Sequence, residues 1–224
     1  MSTSFITIYT QAINKIEDPR LTKKFEESII GFCNIMYNFL VDAIPNFTTP
    51  SFITSKLSDI TNPVYYEQQN TCNGVDVVFI VKYPINDTGI IEVDIDGNNK
   101  VGFTVNYQTS SIILDVAPTQ NSTLTIKYYE DGFFNKNLND EEIGILSDIL
   151  IYCWATKEEN YLLDIRRLLQ DTDFKLHNAS QSISGKIGWI NNLRETWQKR
   201  MNNYAWNQRY DNSFVKNFWK GGRI

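Results

Sequence analysis

The side chains most often used for catalysis or ligation are few in this chain, and they lie far apart. His177 is the single histidine and has no Cys or Glu at ligand spacing, so neither a zinc site nor a histidine-based triad can be assembled around paired imidazoles. It reads as a polar helix residue. Cys33, Cys72 and Cys153 are odd in number and widely separated, and two of them fall in amphipathic helical patterns, which points to buried free thiols rather than a disulfide framework or metal knuckle. Asp94-x-Asp96-Gly97 has the look of a calcium-loop opening, but the twelfth position is Val105 rather than Glu, so the segment reads as a turn. Neither a Gly-Lys-Ser/Thr phosphate loop nor a G-x-G-x-x-G fingerprint occurs. Asp140, Glu141 and Glu142 form an acidic run of the kind that opens a solvated helix and identify no general acid or base. The expectation is a protein that is not an enzyme and uses no metal and no cofactor.

Composition sharpens this expectation. At 42% hydrophobic and 21% charged residues, the chain is balanced like a folded globular protein. No apolar run approaches the ~18–20 residues of a membrane span, and the N-terminus carries no basic-then-apolar leader. A soluble protein, intracellular when made and with no membrane partner, is expected; the four Asn-x-Ser/Thr triplets beginning at Asn46, Asn86, Asn121 and Asn178 then have no bearing. Charge is split along the chain: residues 1–159 carry 10 Lys+Arg against 21 Asp+Glu, whereas residues 160–224 carry 11 against 5. Such a division can orient copies in an assembly or match an acidic partner. Arg166, Arg167, Lys175, Lys186, Arg194, Lys199, Arg200 and Arg209 are spread along helices rather than gathered in a dense stripe, and the whole chain is acidic, which argues against specific nucleic-acid readout.

The elements around these residues follow from periodicity. Asp18-Pro19 predicts a helix start, and Leu21, Phe25, Ile29, Phe32, Met36, Leu40 and Ile44 form one stripe that Pro45 ends, with a shorter helix over 5–16 before it. Residues 46–73, rich in Thr, Ser, Asn and Pro, read as a loop or short helical turn. Five strands are then expected over 75–83, 90–95, 101–107, 111–116 and 123–130, joined by short turns into an antiparallel meander. Asn139 or Asp140 caps a helix bearing Ile143, Leu146, Ile149, Leu150, Cys153 and Trp154. A second helix is expected over 158–169, and a last long one over 180–208 with Ile183, Ile187, Ile190, Leu193, Trp197, Met201 and Tyr204 on one side. The fold class expected is α+β: a bundle of long amphipathic helices with an inserted small antiparallel β-meander or sandwich. Its parts are an N-terminal helical region (1–60), a β-module (61–135), a C-terminal helical region (136–211) and an arm (212–224).

All five tryptophans lie in the final third. Trp154 and Trp197 fall on apolar faces and read as core, whereas Trp206 and Trp219 are interface candidates. The tail NSFVKNFWKGGRI has too few residues to build a core of its own, so its aromatics call for a partner.

The order of these pieces resembles the head-to-tail adaptor, or neck and connector, proteins of tailed bacteriophages. The resemblance is carried by IYTQAINKIEDPRL and FEESIIGFCNIMYNFLVDAIPNF, by STLTIKYYEDGFFNKNLNDEEIGILSDILIYCWA, and by LLQDTDFKLHNASQSISGKIGWINNLRETWQKRMNNYAWNQRY. Within them, L-x-x-E-E-I-x-I-L at Leu138, D-x-D-F-K at Asp171 and the long final helix form the distinctive combination. The resemblance implies a structural virion protein in the neck between capsid and tail, assembled in the host cytoplasm as a ring, often of twelve copies, below the portal. Double-stranded DNA would pass through the ring without specific binding. Its partners would be other copies of itself, the portal protein, and tail or other neck proteins. Adaptors of this kind dock on the portal through a C-terminal extension, which here corresponds to 212–224. Phe214, Phe218, Trp219 and Arg223 are then the docking residues, with Trp206 and Tyr210 supporting the base of the arm. The alternative is a tail or baseplate component whose β-module binds a receptor or glycan, with Tyr65, Tyr66, Tyr83 and Tyr107 as stacking platforms.

Overall fold

A computed structural model describes residues 2–16, 19–98, 101–170 and 179–212. Three of its helix starts are fixed by carboxylates, two of which come from distant parts of the chain, Glu92 of a strand and Asp131 between two strands. Helix α1 (Phe5–Ile13) begins after Ser4, whose side chain makes no cap of its own; instead Asp131 Oδ2 accepts from the Ile6 N–H at 3.1 Å and from the Ser4 hydroxyl. Helices α2 (Pro19–Glu27) and α3 (Ile29–Ala43) meet at Ser28, which takes extended backbone angles (φ −159°, ψ 105°) and accepts from the Gly31 N–H at 2.9 Å. A short helix α4 (Phe52–Leu57) follows a 3-10 turn at Ile44–Asn46. Helices α5 (Asp140–Gln170) and α6 (Ala179–Asn212) complete the helical part. A reciprocal cap opens α5: Asn139 Oδ1 accepts from the Glu142 N–H and Glu142 Oε2 from the Asn139 N–H, both at 2.8 Å.

Helix α5 is the central element, packed against α1, α3 and α6. Phe5, Ile8, Met36, Leu40, Phe47, Ile145, Leu146, Ile149, Trp154 and Trp197 belong to one buried cluster. Each such side chain contributes roughly 1.5–3 kcal/mol through burial.

Nine strands form three antiparallel sheets among the described residues. The smallest joins β1 (Thr3–Ser4), β9 (Phe133–Phe134) and β2 (Ile60–Thr61), so the strand that leaves the β-module pairs with both the chain start and the strand that enters it. Phe134 is fully buried there, edge-on to Phe5 at 5.0 Å. The other two sheets are β3 (Val64–Thr71), β8 (Thr123–Glu130) and β5 (Ile90–Ile95) in the order β3-β8-β5, and β4 (Val78–Ile80), β7 (Ser111–Leu114) and β6 (Phe103–Asn106) in the order β4-β7-β6. They face each other over a second core of Cys72, Val93, Ile112, Leu114, Leu124, Ile126 and Tyr128, with Phe79 and Phe103 packed against it. Strand alternation places Tyr129 on the other side of β8, where it joins the helical core with Ile90 beside it. The β3-β8-β5 sheet therefore lies between the helices and the β4-β7-β6 sheet.

The expected bundle of long amphipathic helices with an inserted meander is corrected by this architecture. Among the described residues it is a mixed α and β fold of six helices and three small antiparallel sheets, in which only α5 and α6 are long. The stripe from Leu21 to Ile44 does not run on one rod, because Ser28 breaks it: Phe32, Met36 and Leu40 are buried, while Phe25 and Ile29 at the break are each 40% exposed. The meander fails because β8, last of the expected strands, inserts between β3 and β5, while β4 pairs with β7. Short turns shorten the connections but leave each strand free to choose its neighbour. Strand β3 falls in the stretch read as loop, since VYYEQQNT lacks an apolar alternation and lies at a sheet edge with most residues exposed. The segment read as a separate helix over 158–169 continues α5 without a break.

Candidate assembly interface

The base of the predicted docking arm is built by ion pairs across α5 and α6. Arg200 grips Glu141 through Nε at 2.7 Å and Nη2 at 3.0 Å, and reaches Asp148 through Nη1 at 2.9 Å. It lies over Gly144, where a β-carbon would come within 2.5 Å of the guanidinium, so the absence of a side chain opens the seat. Lys15, in the turn after α1, meets the other oxygen of Asp148 at 2.6 Å. One turn beyond Arg200, the Tyr204 hydroxyl donates to Glu142 Oε1 at 2.8 Å and accepts from Asn139 Nδ2 at 3.2 Å, while Lys56 of α4 places Nζ 2.7 and 2.9 Å from the two Glu142 oxygens. Glu142 is 0% exposed, and its carboxylate is met by Lys56, Tyr204 and the Asn139 N–H. Hydrogen bonding from Arg200 holds the Glu141 carboxyl below the usual range, and burial followed by the Glu142 hydrogen bond pushes the Tyr204 hydroxyl up to about 12. Arg200 and Tyr204 thus tie α6 to the first turns of α5.

Carboxylates also anchor the β-module. Glu92 of β5 accepts from the Ser28 hydroxyl at 2.7 Å and the Ile30 N–H at 2.9 Å, placing a carboxylate on the N-terminus of α3 just as Asp131 sits on α1. Both exploit the unpaired N–H groups and partial positive charge of a helix start. Burial raises the Asp131 carboxyl above its ordinary value, against the hydrogen bonds from Ser4 and the α1 backbone that lower it.

Of the six residues expected to dock, Phe214, Phe218, Trp219 and Arg223 lie outside the described residues. Tyr210 falls near the end of α6 and its side chain is likewise outside them, while Trp206 is 59% exposed. His177 and Asp18 are also outside the described residues. Trp154 and Trp197 are buried, at 8% and 5% exposure. The tyrosines offered as stacking platforms divide: Tyr65, Tyr66 and Tyr107 stand exposed at the surface, with Tyr66 stacked on half-buried Tyr83 at 4.5 Å, and Tyr83 in turn lies 6.0 Å from buried Tyr128. Asp94 and Asp96 are occupied as turn acceptors, Asp94 from the Gly97 N–H at 2.7 Å and Asp96 from the Thr123 N–H at 2.8 Å. Cys33 and Cys72 are buried free thiols and Cys153 is half-buried; burial pushes Cys33 up to about 12 and Cys153 to about 11, far from the reactive thiolate.

Chemically, these clusters hold elements together. A shallow open groove of about 540 Å³ along α1 is lined by Ile6, Thr7, Thr10, Gln11, Asn14, Asp140 and Ile143, offering hydroxyl and amide hydrogen bonds around one carboxylate. Sequence reasoning missed Glu92, Asp131 and Arg200 as positioning residues. The only local signal is Glu92 itself, a charge interrupting the apolar Ile90-Ile91-x-Val93, while Asn139-x-x-Glu142 is a legible capping box. Comparison with protein-family models, with curated proteins and with solved structures found no match to this chain.

Proposed function

We propose that this chain is a structural adaptor of a tailed-bacteriophage neck, one copy of a ring that sits below the portal and links it to the tail. The observation that carries the reading is the construction of the arm's base: α6 is clamped to α5 by Arg200 and Tyr204, then projects Trp206 outward immediately before a basic, aromatic segment. Rigid presentation lowers the entropy lost when an aromatic anchor docks. Phe214, Phe218 and Trp219 fill grooves on the portal and Arg223 pairs with acidic or carbonyl groups, with Trp206 and Tyr210 at the root. The protein works by fit among virion components, without bond-making chemistry, and DNA passes the ring without sequence readout.

The test is attachment to the portal of the same virus. Truncation before Asn212 abolishes co-sedimentation with portal rings while the circular-dichroism spectrum and thermal midpoint stay unchanged, because the removed residues follow the clamp. Full attachment of a folded, truncated chain contradicts the docking role.

A further inference from the structure

Building on the assembly reading, we propose that the solvent face of the β4-β7-β6 sheet is a self-association surface. It receives the outward side of α6 from a second copy, with Trp206 seated on Val78 and Ile80 and Lys199 against Asp76 and Asp115.

Val78 and Ile80 lie on the sheet side turned away from the sandwich core, 53% and 73% exposed, and Ile113 pairs with Val78 on that side. Strands with a free edge risk indiscriminate pairing, and here the edge is closed: Gln68 donates through Nε2 to the Ile80 carbonyl at 3.1 Å and accepts through Oε1 from the Lys82 N–H at 2.9 Å. The β4 edge beside Val78 and Ile80 is capped while their apolar face is left open, which favours a partner that covers the face over one that adds a strand at β4.

Charge selects the partner. Residues 61–135 carry 3 Lys+Arg against 9 Asp+Glu, of which Asp76 and Asp115 border this face while Glu92 and Asp131 are taken up by helix starts; residues 179–212 carry 5 against 2, with Arg200 among the 5 paired to Glu141 and Asp148. Continuing the β4-β7 register past the strand end sets exposed Asp76 opposite exposed Asp115, on the same side as Val78. On α6, Lys199 and Trp206 are both exposed and seven residues apart, hence on one stripe. Their separation is about 10 Å at ~1.5 Å per helical residue, close to the ~13 Å from Asp76 to Ile80 at ~3.3 Å per strand residue. A tryptophan and a lysine so spaced match an apolar seat and a carboxylate pair. Within one copy Trp206 and Ile80 both remain exposed, so neither covers the other. Because the two surfaces differ, the contact is heterologous and repeats from copy to copy, as a ring requires.

Sedimentation velocity of the full chain across concentration and salt tests this. Wild type self-associates at low salt and dissociates as salt rises. Ile80→Glu and Trp206→Ala each weaken association about tenfold or more, the scale of a tryptophan anchor. Asp76→Lys and Lys199→Glu each weaken it, and the two together restore it. All four residues are exposed, and circular dichroism of each variant checks that the fold is kept, Asp76→Lys also giving up the hydrogen bond from Asn73 Nδ2 at 2.6 Å. A monomer at every concentration, association indifferent to Ile80→Glu and Trp206→Ala, or a charge swap without recovery overturns the proposal. Portal attachment in the same variants separates the two readings: Ile80-dependent association without attachment upholds this contact and removes the adaptor role, and attachment with association indifferent to Ile80 does the reverse.

Discussion

Glu142 shows how much of this molecule depends on single charges. With its carboxylate fully buried, the charge is tolerable only because Lys56, Tyr204 and the Asn139 N–H surround it. Removing the cation as Lys56→Met strands that charge and lowers unfolding free energy by about 3–5 kcal/mol, measured by urea denaturation, whereas Lys56→Met with Glu142→Gln together recovers much of the loss. Two other carboxylates give opposite pH signatures. Glu141, held below its ordinary 4.5 by Arg200, contributes stability that is full above that value and lost as pH falls through its lowered folded value. Asp131, raised above 3.8 by burial, binds its proton in the folded chain first, so its contribution improves as pH falls from its folded value toward 3.8. In stability-versus-pH profiles, Glu141→Gln therefore lessens the acid-side loss and Asp131→Asn steepens it. Shifts in the same direction contradict the assignment.

At the scale of elements, the β-module is joined to the helices by hydrogen bonds to helix starts as much as by apolar packing. Glu92→Ala frees the start of α3, and hydrogen exchange at the Ile30 and Gly31 amides quickens while Ile112 and Ile126 in the sandwich core keep their protection. Protection lost throughout the sandwich contradicts a local anchor. The return of the chain at Gly132 is equally constrained: an added β-carbon would come within 2.5 Å of Phe5 and 2.7 Å of the Thr61 carbonyl, so Gly132→Ala costs about 1–3 kcal/mol in thermal or denaturant unfolding. These elements also show what the sequence made legible. Periodicity located the first half of α5, α6 and most strands, and the cap at Asn139 was readable because its partner is three residues away. Ser28 was invisible as a break because the apolar spacing runs straight through it and its second partner, Glu92, is 64 residues distant. Pairing order was equally hidden: β8 carries alternating apolar residues that suit any neighbour, and the choice of β3 and β5 is made by the second core and by Tyr129 turning to the helices. The docking residues past Asn212 rest on composition and resemblance alone.

The whole molecule has two kinds of outward-facing surface, a sheet face with exposed Val78 and Ile80 bordered by Asp76 and Asp115 and a helix side with exposed Lys199 and Trp206, carried on a core in which α5 touches α1, α3 and α6. Such a body suits a place between two different neighbours, where identical copies repeat one contact sideways and arms reach a second component. The direct test is position in the particle. Electron microscopy of virions carrying a labelled copy of this chain should show the label as a ring at the vertex where tail meets capsid, below the portal. Label at the distal baseplate or over the capsid shell would contradict the adaptor role.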